Sequence, residues 1–159
     1  GARAVNPNVV VVSKYAGTTG AAFKDPTKGQ ELALAEYQDG VDVIFHASGS
    51  TGLGVFEAAR KLKKLAIGVD ADQYKEAPGF ILTSMVKRVD HAVFDTIRDL
   101  KAGQWQGGVR EMGLAEHGVT WVYDDRNKAL IPDHVKATVD SLEAEIIAGR
   151  IKVPTGMNP

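Results

Sequence analysis

From Asp42 to Leu62 the chain reads DVIFHASGSTGLGVFEAARKL: a strand, a turn of small residues and an amphipathic helix, joined without a linker. A largely apolar strand needs cover on both faces, and a helix that follows so directly must fold back onto the sheet. The segment therefore demands an α/β layer architecture. It also puts its turn at the carboxyl end of a strand, where open α/β sheets bind ligands. Free N–H groups at the helix start, with the hydroxyls of Ser48, Ser50 and Thr51, suit a polar small molecule.

The flanking segments repeat the strand–helix alternation. Val9 to Val12 is four β-branched residues in a row and reads as a buried strand feeding a loop, Tyr15 to Phe23. Asp25-Pro26 supplies an N-cap and a first helical proline for a helix through Tyr37, with Gly40 as its stop. Val41 to His46, Leu65 to Val69 and Phe80 to Ser84 are the next strands. Val55, Ala58, Ala59 and Leu62 form one helical face between the first two of these. Units of this length imply a parallel sheet flanked by helices, with right-handed crossovers.

Beyond them, Val89, Ala92, Val93, Thr96, Ile97 and Leu100 mark a helix closed by Gly103. Gly107 to Leu114 and Val119 to Tyr123 read as strands, and Pro132 opens a last helix with Val135, Val139, Leu142 and Ile146 inward. The tail from Ile151 to Pro159 has no periodicity. Gly1 to Val5, which does not start with Met, reads as the end of a helix begun earlier and points to a cleaved product or a fragment.

Nineteen basic against twenty acidic residues leave a net charge of -1, with no basic surplus to drive nucleic-acid binding. The lack of cysteine excludes disulfides, thiolate nucleophiles and sulfur-bound metals but leaves the compartment open. No apolar run approaches the roughly 18 residues of a membrane span.

Several residues are candidates for a site. The Gly49, Gly52, Gly54 spacing is GxxGxG, which is not the dinucleotide fingerprint, and no phosphate-loop lysine follows; a tight strand-to-helix turn explains it equally well. Asp70 and Asp72 follow a strand end on the same rim. A carboxylate there can accept two hydroxyls of a vicinal diol, while an Asp-x-Asp pair also suits a hydrolase, a magnesium site or a plain solvated loop. Lys87 ends the next strand, within reach of that rim. Phe23 and Tyr15 are loop aromatics able to stack on a planar ring or to cover the core. Of the four histidines only His46 is placed to face the rim, and none shows metal spacing or belongs to a triad. Trp105 and Trp121 read as core or hinge packing. No catalytic residue, metal or cofactor is assigned.

Five stretches in order, Tyr15-Ala-Gly, Phe23-Lys-Asp-Pro-Thr-Lys-Gly, Val43 to Ala59, Ile67-Gly-Val-Asp-Ala-Asp-Gln73 and Leu82 to Asp90, resemble the basic membrane protein family of bacterial ABC-transporter substrate-binding lipoproteins, which includes purine-nucleoside receptors. The resemblance implies the second lobe of a type I periplasmic binding protein, without its first strand and without the first lobe. Residues 1–85 and 118–159 would form that lobe, and residues 86–117 would cross to the absent one. The apolar face of Val89, Val93, Ile97 and Leu100 would then need a complementary fragment, a second copy of the chain, or repacking onto its own lobe.

The resemblance also implies a role for each site residue. Phe23 would stack on a nucleobase, Ser48 and Gly49 would shape the cleft wall, Asp70 would accept ribose hydroxyls, and Lys87 would reach the sugar or base edge. Ser48-Gly49-Ser50 stands where many relatives carry a small residue and a glycine pair, and the loop before Phe23 is longer than theirs. The expected function is capture of a nucleoside, purine by resemblance, for an ABC importer permease. It would operate in the periplasm or on the outer face of the cytoplasmic membrane, lipid-anchored in the full-length parent. The alternatives are a small Rossmann- or flavodoxin-like nucleotide-binding enzyme and a ligand-sensing lobe without a transport role.

Overall fold

The computed structural model describes residues 1–154, so most of the tail lies outside the described residues. A one-turn helix, α1 (Ala2–Val5), is followed by a loop and then by α2 (Pro26–Gln38). The start of α2 follows from its sequence: the Asp25 carboxylate accepts a hydrogen bond from the Lys28 N–H at 2.9 Å, and Pro26 fills the first turn. Gly40, at φ 99°, turns the chain into β1 (Val43–Phe45). Then come α3 (Gly52–Leu62), β2 (Leu65–Asp70), β3 (Ile81–Lys87), α4 (Val89–Lys101), β4 (Val119–Trp121) and α5 (Asp133–Ile147).

The sheet order is β1-β2-β3-β4. The first three strands are parallel, and β4 runs antiparallel to β3, pairing Met85 with Trp121 and Lys87 with Val119. The core lies between β2, the start of β3 and the α2–α3 pair, where Ala33, Phe56, Ala58, Ala59, Ala66 and Ile81 are buried. Val55 and Leu62 pack there too, so the helical face read from the sequence is the one that meets the sheet. Tyr37 crosses this layer and donates its hydroxyl to the Leu65 carbonyl at 2.8 Å. Burial pushes that phenol up. Two glycines bring α2 and α3 this close: a Cβ at Gly54 would lie 1.8 Å from the Pro26 carbonyl oxygen, and one at Gly29 would lie 2.0 Å from that of Thr51.

Several expectations need correction. Val9 to Val12 form no strand and are exposed, except that Val9 is half-buried. They pair with no strand among the described residues, the free outer edge of β1 included, and an extended segment without a neighbour leaves its backbone groups to water. Gly107 to Leu114 is not a strand either, because β4 already occupies the far side of β3. That stretch is tied instead by Arg110 to Asp99 at 3.0 Å and by the Gly113 N–H to Glu116 at 2.9 Å. Trp105 is exposed, while Trp121 is half-buried beside Tyr123 with ring centroids 5.5 Å apart. In α5, Val139, Leu142 and Ile146 are half-buried and Val135 is exposed.

The helix α4 forms as its periodicity requires but does not repack onto its own sheet. Val89, Val93, Phe94, Ile97 and Leu100 are each more than half exposed, and the helix buries no residue.

Candidate functional site

Because β1, β2 and β3 are parallel, their carboxyl ends form one rim of the sheet. His46 to Gly49 leave β1 there, Asp70 is the last residue of β2, and Lys87 is the last of β3. The register sets Asp70 beside Val86, so the next side chain along β3 reaches it: Lys87 Nζ lies 2.8 Å from Asp70 Oδ1. Both groups remain more than half exposed. A carboxylate with one oxygen on a cation keeps further lone pairs for a ligand's hydroxyl donors.

Asp70 is held in an unusual backbone conformation. Its φ is 68°, and the Ala71 N–H closes a three-residue turn on the Val69 carbonyl at 2.8 Å. A tight turn with positive φ at a non-glycine residue is strained and persists only where the surroundings over-determine it.

Phe23 comes to the same neighbourhood through the glycine turn. It ends a short 3-10 segment, Gly20–Phe23, whose carbonyls are gripped from that turn: Ser50 Oγ donates to Phe23 O at 3.0 Å and Thr51 Oγ1 to Ala22 O at 2.7 Å. Thr51 Oγ1 also accepts the Asp25 N–H at 2.8 Å, joining the loop to the cap of α2. Gly49 is required twice, by its φ of 56° and because a Cβ there would lie 2.9 Å from the Phe23 carbonyl oxygen. The Phe23 ring is half exposed.

The other two glycines of the turn answer to packing. A Cβ at Gly52 would sit 2.1 Å from His46 Cε1, and Gly54 is the α2 contact described above. The GxxGxG spacing is thus that of a turn built around a buried histidine and a helix crossing.

His46 does not face the rim. It is buried beneath it, with its ring edge-on to Phe56 at 5.0 Å and 75°, Nε2 3.2 Å from Gln73 Oε1, and Nδ1 3.4 Å from Ser48 Oγ. Burial lowers its pKa, with the Gln73 hydrogen bond and the charge of Asp70 opposing. Asp72 is likewise engaged: Oδ2 takes Arg126 Nη2 at 2.7 Å and Oδ1 takes the Tyr74 N–H at 3.0 Å. Arg126 also grips Asp124 and lies over the Tyr74 ring at 5.0 Å from its centroid. These carboxylates hold its guanidinium above the ordinary arginine range. The Asp-x-Asp pair therefore divides, with Asp70 on the rim and Asp72 in a clamp. Among the described residues no three His, Asp or Glu side chains are grouped to hold a metal ion.

Arg126, Gln73 and Ser84 went unread in the sequence. Arg126 sits in a polar loop with no periodicity, and Gln73 and Ser84 lie inside stretches whose neighbours carried the signal. Only the fold brings Gln73 and Ser84 beneath the rim and Arg126 onto Asp72.

The chain is similar to the CD4+ T-cell-stimulating antigen of Listeria monocytogenes, 40% identical over 171 residues that cover 97% of this chain and 46% of that protein. It is 33% identical to the ABC transporter nucleoside-binding protein BmpA of Lactococcus lactis, over 98% of this chain and 47% of that one. Among solved structures it resembles an ABC transporter solute-binding protein from Aeropyrum pernix, with a TM-score of 0.74 and 27% identity over 89% of this chain and 48% of the other. The chain thus spans about half the length of the curated relatives it matches. Residues 1–156 match the family described as ABC transporter substrate-binding protein, PnrA-like, and with the sheet, the glycine turn and the Asp70–Lys87 rim in place, the chain belongs to that family.

Proposed function

We propose that this chain is one lobe, the carboxyl-terminal one, of an extracytoplasmic solute-binding protein that captures a nucleoside between two lobes and delivers it to an ABC importer permease. The observation that carries the proposal is the exposed Asp70–Lys87 pair at adjacent parallel strand ends. An aspartate with free lone pairs suits the two hydroxyls of a ribose, and each charge-assisted hydrogen bond contributes about 1.5–3 kcal/mol. Lys87 has donors for the sugar or base edge, and the half-exposed ring of Phe23 suits the base face. Ser48 and Gly49 make the wall between them. The purine preference comes from the resemblance, and the likeness to the nucleoside-binding protein of Lactococcus lactis supports a nucleoside.

The rim supplies one wall, so the opposite one belongs to a first lobe. The bare apolar face of α4 supports this reading, with residues 86–117 crossing to that lobe or, failing it, to a second copy of the chain. Function is then hinge closure: the ligand favours the closed state by touching both lobes at once. No bond is made or broken, no cofactor is needed, and the protein is not an enzyme. The longer protein would be lipid-anchored at the outer face of the membrane. No helix among the described residues is long and apolar enough to cross one.

The test is isothermal titration of this chain and of the full two-lobed protein against a panel of purine and pyrimidine nucleosides. Binding by the two-lobed protein and negligible binding by the 159-residue chain is the expected result. Tight binding of adenosine by the single lobe would overturn the two-wall account. Binding of dinucleotide or flavin at the Gly49 to Gly54 turn would favour an enzyme.

A further inference from the structure

Beneath the rim lies a buried polar cluster for which nucleoside capture, as described above, has no use. Gln73 is its centre. Oε1 accepts the Val69 N–H at 2.7 Å and faces His46 Nε2 at 3.2 Å, and its backbone N–H donates to Ser84 Oγ at 3.1 Å. One residue, through its side-chain carbonyl and its backbone N–H, therefore ties together the carboxyl ends of β1 and β2 and the middle of β3. The fold makes room for it: a Cβ at Gly68 would lie 2.6 Å from Ser84 Oγ and 2.9 Å from Gln73 Oε1, and Gly52 gives way to the His46 ring. Ser84 and His46 are both buried.

The proton positions follow from the partners. A backbone N–H can only donate, so the Gln73 atom facing Val69 is the carbonyl oxygen, and His46 Nε2 opposite that oxygen must carry the ring proton. Nδ1 is then the acceptor for the Ser48 hydroxyl. Asp70 hangs directly on this arrangement. Its positive-φ turn is closed on Val69, the residue whose N–H Gln73 holds.

We propose that His46 and Gln73 are a positioning pair for the ligand-binding rim: His46 orients the Gln73 carbonyl, Gln73 fixes Val69, and Val69 anchors the strained turn that sets Asp70 against Lys87. The same ring fixes the Ser48 hydroxyl, so that Ser48 presents lone pairs to the cleft. The inference rests on the reading of Asp70 as the ligand's acceptor. Around the ring stand Gln73, Ser48, Gly52 and Phe56, and the nearby charge is that of Asp70, itself paired with Lys87.

Two near-isosteric substitutions separate positioning from packing. Gln73→Glu keeps an acceptor at the Oε1 position, whereas Gln73→Met keeps the volume and removes it. In the two-lobed protein, titrated with inosine at pH 7.5, Gln73→Glu should bind within about three-fold of the natural protein and Gln73→Met about ten-fold or more weaker, the range of a lost buried hydrogen bond. His46→Phe, which fills the ring volume without donating, should weaken binding like Gln73→Met and serves in its place if that variant does not fold. Nitrogen-15 NMR of the 159-residue chain should show His46 protonated on Nε2, its titration midpoint raised by Gln73→Glu, and the Val69 and Asp70 amides displaced by Gln73→Met.

Methionine binding as tightly as glutamine, glutamate as weakly as methionine, or a ring protonated on Nδ1 would each overturn the proposal. If the natural protein binds no nucleoside at all, the functional reading fails instead. The NMR arm then decides alone: displaced Val69 and Asp70 amides sustain the positioning pair, and unmoved ones refute it.

Discussion

Replacing Asp70 by glycine and by alanine separates the cost of its backbone from the use of its side chain. At φ 68° an L-residue carries a left-handed penalty of about 1–2 kcal/mol that glycine does not. Glycine gives back roughly 0.5–1 kcal/mol through the greater freedom of its unfolded chain. The carboxylate's pairing with Lys87 adds little to stability, because both groups are more than half exposed and exposed pairs contribute about 0–1 kcal/mol before screening. Asp70→Gly should therefore be more stable than Asp70→Ala by roughly 0.5–1 kcal/mol. For a chain of this size that is a difference of about 1–4 °C in Tm. Both variants lose the acceptor and with it about 3 kcal/mol of nucleoside affinity, near 150-fold, if two charge-assisted hydrogen bonds are made. Differential scanning calorimetry and titration calorimetry on the same samples read the two effects. A glycine variant no more stable than the alanine one, or either variant binding as the natural protein does, would refute the reasoning.

Two further outcomes follow from the interior. Gly54→Ala places a methyl 1.8 Å from the Pro26 carbonyl oxygen, a backbone atom that cannot move aside, and should destabilise by about 3 kcal/mol or more in urea unfolding; at Gly79, where a Cβ meets nothing within 4 Å, alanine should cost only its positive-φ strain. His46, whose pKa is lowered by burial from 6.5, binds its proton more readily in the unfolded chain. Stability is complete above 6.5 and falls as the pH drops below it, and that component of the slope should vanish in His46→Phe when urea midpoints are compared at pH 7.5 and 5.5.

The alternation of strands and helices was legible because burial imposes a period. Val55, Ala58, Ala59 and Leu62 face the sheet as their spacing requires, and Asp25-Pro26 starts α2 by local chemistry alone. Pairing was not legible. Val9 to Val12 have every local property of a strand, yet a strand exists only where it pairs with another, and these residues pair with none among the described residues. The site divides in the same way. Strand-end position placed Asp70 and Lys87 on one rim, while the fates of Asp72 and His46 depended on Arg126 and Gln73, contacts set by tertiary packing that no spacing in the chain encodes.

The turn at Asp70 also bears on how selectivity at this rim can change. Its backbone is fixed as part of folding, so on the proposed reading a ligand meets an acceptor with no main-chain freedom left to lose, while the exposed side chains of Asp70 and Lys87 still have freedom to surrender. Phe23 differs, since it sits on a short segment gripped through backbone carbonyls with its ring left outward. On that reading, variation among related chains can rebuild the Phe23 side of the cleft residue by residue, whereas a change in the Asp70 backbone must carry the whole Val69–Gln73–His46 arrangement with it.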